Sequence, residues 1–399
     1  MSSPGAVHPR RYAASMAKRV LILGSTGSIG EQALDVVGAS SELELVGLSA
    51  AHNWGRLSAQ ARETEVGVVA LADSESAERS LAAFEGVRLL AGEEGIRELI
   101  TATDPDLVLN AIVGIAGLGP TIVALSEGID VALANKESLV VGGELITALA
   151  EATESRILPV DSEHSALFQL LRGEPPGGIE RLILTASGGP FRGRTELSGV
   201  TPEEALAHPT WEMGGRITVD SATLLNKGLE VIEAHHLFGV PYARIEVVVH
   251  RQSIVHSLVE LNDGAQLAHL GLPDMRVPIS YALHFPERAD VAVPTLDLAA
   301  VGELTFEPPD LDTFPCLRLA RAAGAEGGTA PCVLNAADEV AVTAFLDGRL
   351  PFAGIGEVIE GALEAIEPQP VGHFEQLFDC DAAARHTAAR LVERTGARL

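Results

Sequence analysis

Apolar residues fall into short unbroken runs in the first part of this chain and into spaced, amphipathic patterns later. Val20–Leu23 is one such run, closed by Gly24. Leu43–Leu48, Val66–Leu71, Val87–Leu90, Leu107–Ile112, Asp130–Ala134 and Arg156–Val160 repeat it, with helical spacing between most of them. Continuous apolar runs suit strands buried on both faces, and their alternation with helices predicts a parallel, doubly wound α/β sheet. After Val160 the pattern changes. Arg181–Ala186, Glu246–His250 and Ile254–Leu261 read as longer amphipathic strands of an antiparallel or mixed sheet. Pro286, Pro294, Pro308, Pro309 and Pro315 mark an extended connection, and from Leu317 onward Ala, Leu and Glu recur at helical spacing.

The expected organisation is a disordered extension (1–17), a nucleotide-binding parallel-sheet domain (18–160), a central α/β catalytic domain (161–285), a linker (286–311) and a small helical C-terminal domain (312–399). Leu107–Ser126 lacks any charged residue and is long enough to span a bilayer. Asn110, Gly114, Gly117, Gly119 and Pro120 divide it into strand, glycine loop and helix, so it reads as a buried α/β unit.

Composition narrows the partners. A net charge of −27 repels nucleic acid and anionic membrane, and a phosphate site must draw on locally placed donors. Cys316, Cys332 and Cys380 form no CxxC pair, which argues for a reducing compartment and against a thiol-ligated metal. Residues 1–17 lack the apolar core of a signal peptide.

Several segments carry chemistry. Gly24-Ser-Thr-Gly27-Ser-Ile-Gly30 sits between a strand and a helix, where backbone N–H groups suit a pyrophosphate. The second strand runs into Ser49-Ala50-Ala51-His52-Asn53-Trp54 without an acid, which fits a 2′-phosphate and hence NADPH. Val160-Asp161-Ser162-Glu163-His164 follows an apolar strand. Carboxylates two apart at a strand end point the same way and call for a divalent cation; all-oxygen ligands favour Mg²⁺ or Mn²⁺. Equally, Asp161 or Ser162 reads as a helix N-cap, with Glu163 in the first turn; His164 reads as a metal ligand or, in preference, as a supporting or packing residue.

Ser187-Gly188-Gly189-Pro190-Phe191 is either a bland turn or an anion cradle. Only three lysines occur, and two follow asparagine, in Asn135-Lys136-Glu137 and Asn226-Lys227-Gly228-Leu229-Glu230. With Ser221 and Thr223, the second makes a binding kit for phosphate or hydroxyls; a surface ion pair of Lys227 with Glu230 is the competing account. His208–Gly215 is aperiodic and holds Trp211 and Met213, as a mobile lid would.

In this order, these motifs resemble 1-deoxy-D-xylulose 5-phosphate reductoisomerases. Gln252-Ser253, His256-Ser257, Pro273-Asp-Met-Arg276 and Asn335-Ala-Ala-Asp-Glu-Val-Ala341 extend the likeness over roughly residues 18–395. The resemblance implies a Rossmann-like N-terminal domain and an NADPH-dependent cytoplasmic homodimer of the non-mevalonate isoprenoid route. Its substrate is a small phosphorylated sugar and its metal Mn²⁺ or Mg²⁺, with Co²⁺ admissible. It implies Asp161, Glu163 and Glu230 as metal ligands, and catalytic roles for these three with Lys136 and His208. Substrate contacts would be Lys136, Ser162, Glu163, Ser187, His208, Ser221, Asn226, Lys227 and Glu230. NADPH contacts would be Thr26, Gly27, Ser28, Ile29, Ala51, His52, Asn53, Asn135, Glu137 and Gly214. Three departures stand out: Ala51-His52 where Gly-Lys is common, Gly215-Arg216 in place of a basic pair, and Glu212 in the lid. The alternatives are an NADPH-linked reductase of another phosphorylated substrate on the same scaffold, or an inactive dinucleotide-sensing protein.

Overall fold

The computed structural model describes residues 17–211 and 213–396. The extension expected over 1–17 lies outside them except for Ala17, as does lid residue Glu212.

Seven strands form the first sheet: β1 (Lys18–Leu23), β2 (Leu43–Ala50), β3 (Val68–Leu71), β4 (Arg88–Ala91), β5 (Leu107–Asn110), β6 (Asp130–Leu133) and β7 (Ile157–Pro159). Their order is β4-β3-β2-β1-β5-β6-β7, and every neighbouring pair is parallel. The apolar runs explain this. In β1, Val20 and Ile22 join the core on one face while Leu21 and Leu23 join the core on the other. All four are fully buried, so a polar residue has no place in the run. The winding reverses between β1 and β5, which opens a crevice beyond their C-terminal ends. The uncharged stretch at 107–126 becomes β5, a loop and the helix Leu118–Ser126. No described helix is long and apolar enough to cross a membrane.

The second sheet holds β8 (Ile179–Ala186), β9 (Ile245–Val249), β10 (Val255–Leu261) and β11 (Gln266–Leu270), in the order β11-β10-β8-β9. It is mixed: β8 pairs antiparallel with β10 and parallel with β9, and β10 pairs antiparallel with β11. Sequence patterning missed β11, an edge strand with only partial burial and thus a weak alternation.

One core joins Leu182, Leu184 and Val247 of this sheet to Leu229 and Ile232 of the helix Leu225–Phe238. The same core takes in Leu317, Val333 and Phe345 of the C-terminal helices. Residues 286–311 are largely irregular, but Val249 and Glu307 form a bridge that ties them to β9. The helix Arg276–His284 returns to the first sheet. Its Ile279 and Leu283 are fully buried against the Val20–Ile22 face, each contributing roughly 1.5–3 kcal/mol.

Candidate active site

A single cleft of about 1370 Å³, open mouth included, runs from the glycine loop to the helix Leu225–Phe238. At its cofactor end Gly24 turns the chain with φ +82°, and a Cβ there would stand 2.7 Å from the Ala111 carbonyl oxygen. A Cβ on Gly30 would come within 2.3 Å of the Gly24 carbonyl oxygen, so the helix Ser28–Gly38 can pack this closely only on glycine. Gly27, Ser28 and Ile29 face the cleft as a result.

The rim beyond β2 is partly committed already. The Ser49 hydroxyl is buried and accepts from the Gly24 N–H at 3.2 Å, serving the loop itself. Asn53 Oδ1 accepts from the Arg56 N–H at 3.2 Å and caps the next helix. Ala51, His52 and Asn53 are exposed, leaving the imidazole and the Asn53 amide as donors on this rim.

Asp161 and Glu163 do converge, but for a different reason than strand alternation. β7 stops at Pro159; Asp161 is the N-cap residue of the helix Ser162–Leu171, and Glu163 lies in its first turn. The Asp161 side chain makes no capping bond; it pairs with Lys136 Nζ. Lys136 also reaches Glu230 Oε1 at 3.2 Å and Asn226 Oδ1 at 2.8 Å. Lys227 Nζ donates to Glu163 Oε1 at 2.6 Å and to Glu230 Oε2. The pair of Lys227 with Glu230 is therefore buried, with Lys227 4% and Glu230 1% exposed, and the surface account fails.

Three carboxylates and two ammonium groups leave this cluster one negative charge in excess. Burial pushes Glu230 up to about 7, helped by the nearby Glu163 charge. Burial opposes ionisation of Asp161 too, but Lys136 holds its carboxyl below the ordinary range. Both lysines stay protonated: burial works against them, and their carboxylate neighbours prevail. A hard dication suits this oxygen-rich, under-neutralised site. Ligand atoms of Asp161, His164 and Glu230 lie within 4.8 Å of one another. His164 Nε2 donates to the Glu230 backbone carbonyl at 2.8 Å, which braces the two helices and leaves Nδ1, 3.4 Å from Glu233 Oε2, as the ring's ligand atom.

The opposite wall is built for an oxyanion. His208 Nδ1 accepts from the N–H groups of Thr210 (3.2 Å) and Trp211 (2.9 Å), so its proton sits on Nε2. That proton is donated to Ser187 Oγ at 2.9 Å, and the Gly189 N–H donates to the same oxygen at 3.2 Å. With both acceptor sites taken, the Ser187 hydroxyl proton is left for a ligand. Burial lowers the pKa of His208, which keeps it neutral in this role. Ser221 ends the helix Gly215–Ala222, and Asn226 and Lys227 begin the next. Between them Leu224 takes the left-handed conformation (φ 61°), turning both helix ends toward one cleft. Trp211 lines the same cleft, its ring 6.5 Å from that of His256.

Fourteen of the expected residues thus meet in this cleft: Gly27, Ser28, Ile29, Lys136, Asp161, Ser162, Glu163, Ser187, His208, Gly214, Ser221, Asn226, Lys227 and Glu230. Thr26, Ala51, His52, Asn53, Asn135 and Glu137 do not line it. Asn135 Nδ2 donates to the carbonyls of Ile112 (2.7 Å) and Gly114 (2.9 Å), and Glu137 Oε1 accepts from the Gly114 N–H at 3.0 Å. Both shape the loop beside the groove. Sequence reasoning overlooked Val113, Ile217, Leu224 and Met275, apolar lining residues with no chemical signature.

A doubly wound sheet with a glycine loop at its switch point, facing a carboxylate cluster and an oxyanion wall, defines a dinucleotide- and cation-dependent oxidoreductase. Residues 20–143 match the family described as 1-deoxy-D-xylulose 5-phosphate reductoisomerase. Residues 157–238 and 270–387 match C-terminal domains of the same enzyme. The reductoisomerase of Symbiobacterium thermophilum is 50% identical over 380 residues, 94% of this chain and 98% of that one. That of Anaeromyxobacter sp. (strain K) is 53% identical over 386 residues, 96% and 98% of the two chains. The Zymomonas mobilis reductoisomerase, solved in complex with NADPH, superposes with a TM-score of 0.88 at 40% identity, covering 95% of this chain and 100% of that one. A reductoisomerase solved with NADPH, fosmidomycin and magnesium gives 0.88 at 37% identity, covering 94% and 98%. The chain belongs to the 1-deoxy-D-xylulose 5-phosphate reductoisomerase family.

Proposed function

We propose that this cleft converts 1-deoxy-D-xylulose 5-phosphate to 2-C-methyl-D-erythritol 4-phosphate, with Asp161, Glu163 and Glu230 holding Mg²⁺ or Mn²⁺. The carrying observation is that these three carboxylates, the oxyanion wall and the glycine loop open into one cleft. NADPH supplies hydride, and a dication bound by the three carboxylates stabilises negative charge building on the substrate's oxygens. The chain's own residues do the rest. Ser187, Ser221, Asn226 and Lys227 bind the phosphate, with His208 fixing the Ser187 hydroxyl. Lys136 neutralises Asp161 and Glu230 and orients Asn226. Trp211 and Met213 cover the substrate and exclude water.

Thr26–Ile29 and Gly214 contact NADPH, the Ala51–Asn53 rim takes its 2′-phosphate, and Asn135 and Glu137 set the Ile112–Gly114 loop beside it. Segments 18–160, 161–285 and 312–399 divide into cofactor, catalytic and C-terminal roles, joined by 286–311. The enzyme acts in the cytoplasm as a homodimer; its three free cysteines fit a reducing compartment. The test follows NADPH absorbance with purified protein, 1-deoxy-D-xylulose 5-phosphate and Mg²⁺ or Mn²⁺. Oxidation that stops on chelation is expected; none from folded protein overturns the assignment.

A further inference from the structure

Arg216 is the second residue of the helix that follows the lid, and its charge turns away from the cleft. Nη1 donates to Glu137 Oε1 (3.0 Å) and Glu339 Oε1 (2.9 Å). Nη2 donates to Asn335 Oδ1 (2.9 Å) and Asp338 Oδ2 (3.0 Å). Nε faces Asp338 at 3.3 Å and Asp220 at 3.6 Å. One guanidinium thus gathers side chains from the start of the helix Glu137–Thr153, from the lid's own helix and from the C-terminal helix Ala330–Leu346.

The two outer carboxylates carry the contact to the cofactor groove. Glu137 Oε1 accepts from the Gly114 N–H at 3.0 Å, and Glu339 Oε1 from the Ile115 N–H at 3.3 Å. Those residues follow Val113, which lines the cleft. Glu339 Oε2 is held by Arg385, which also bonds Asp381 at 2.7 Å. Acids outnumber cations here. Among the described residues Glu137, Asp220, Asp338, Glu339 and Asp381 pair with no cation but Arg216 and Arg385, and burial beside Asp338 holds the Asp220 carboxyl well above its ordinary range. Moving the lid helix outward would strip Arg216 from Glu137 and Asp338, buried carboxylates with no other cation in the cluster. Its position and that of the Gly114–Ile115 loop are therefore set together. At the far end of the same helix stands Ser221, facing the substrate side of the cleft.

We propose that Arg216 is a positioning residue that couples an occupied cofactor groove to lid closure over the substrate, with Glu137 and Glu339 as its anchors. The inference rests on the functional reading above. The C-terminal helices thereby take part in substrate capture through Asn335, Asp338 and Glu339. The requirement is for a planar fork, because an ammonium cannot reach three carboxylates and an amide in four directions.

The test measures the dissociation constant of 1-deoxy-D-xylulose 5-phosphate, with Mg²⁺, in the presence and absence of saturating NADP⁺, which cannot supply hydride. Wild-type protein should bind substrate at least about fivefold more tightly with the cofactor present. Arg216→Lys should reduce that factor below about twofold. Each ligand alone should bind within about threefold of wild type, a split that general destabilisation does not produce. Glu339→Gln should do the same, and it decides the matter if circular dichroism shows Arg216→Lys to be unfolded. A factor retained by the folded variants, or a wild type that turns over without coupling, overturns the proposal. Wild-type protein that fails to turn over at all sinks the functional reading and the coupling with it.

Discussion

Glu230→Gln isolates the charge at the centre of the carboxylate cluster. Glutamine keeps the shape and both hydrogen-bonding positions, but Glu230 accepts at both oxygens, from Lys136, Asn226 and Lys227. The variant leaves Lys136 with Asp161 and Lys227 with Glu163, two cations against two anions, so the excess negative charge is gone. A unit charge about 4 Å away is worth roughly 4 kcal/mol at an effective dielectric near 20, and twice that toward a dication. Even a quarter of the larger figure, about 2 kcal/mol, weakens Mg²⁺ binding on the order of 30-fold. Lost stabilisation of the reacting oxygens lowers kcat by a further factor of about 10²–10³. Metal-free stability should fall by about 1–3 kcal/mol, since the amide nitrogen must face a donor where the carboxylate accepted, although both lysines keep another partner. The assay is NADPH oxidation across a Mg²⁺ titration, with NADPH affinity and urea unfolding measured alongside. Activity within threefold of wild type at saturating Mg²⁺ would refute the charge argument.

Three further outcomes are expected. Lys227→Ala should raise the substrate KM roughly 10- to 100-fold and lower the metal-free Tm, with Mg²⁺ restoring much of the latter because it re-neutralises Glu163 and Glu230; an unchanged KM removes Lys227 from the phosphate. Gly30→Ala, whose Cβ meets the Gly24 carbonyl oxygen at 2.3 Å, should weaken NADPH binding at least about tenfold while leaving metal binding alone, as isothermal titration would show. His236, packed on Gly143 and beside His235, is lowered to about 4, chiefly by burial and then by His235. Its folded value lies below the unfolded one, so its stability contribution is present above pH ~6.5 and fades as pH falls toward ~4. Urea stability should drop by about 2 kcal/mol between pH 7 and pH 5 on its account, and His236→Gln should flatten that slope.

How much of this was legible in the chain depended on distance along it. The runs that became β1, β3, β5, β6 and β7 announce themselves because both faces are buried, so each strand carries its own evidence; β4, at the sheet edge, buries only Leu90. β11 does not, because an edge strand needs few apolar residues. Asp161 and Glu163 were recognisable as a pair from residue type, yet their convergence comes from an N-cap turn, which period-two reasoning cannot anticipate. Lys136 and Lys227 stood out by rarity, but their partners could not be read, since Lys136 and Glu230 lie 94 positions apart. Arg216 read only as a missing basic pair. Its acids at 137, 338 and 339 belong to other elements, and tertiary packing alone brings them together. Cys332 and Cys380 are similar: Cys332 Sγ reaches the Leu377 carbonyl at 3.4 Å across two packed helices, although no spacing in the sequence marks them as neighbours.

The lysines threaded between the three carboxylates give the site internal counter-ions, and this separates assembly from activation. In a zinc-finger-like domain the ion is part of the folding reaction, so the identity of the metal is fixed when the chain folds. Here Lys136 and Lys227 already hold Asp161, Glu163 and Glu230 in place. With both lysines as counter-ions, the fold leaves a dication only the remaining charge of the three carboxylates to offset.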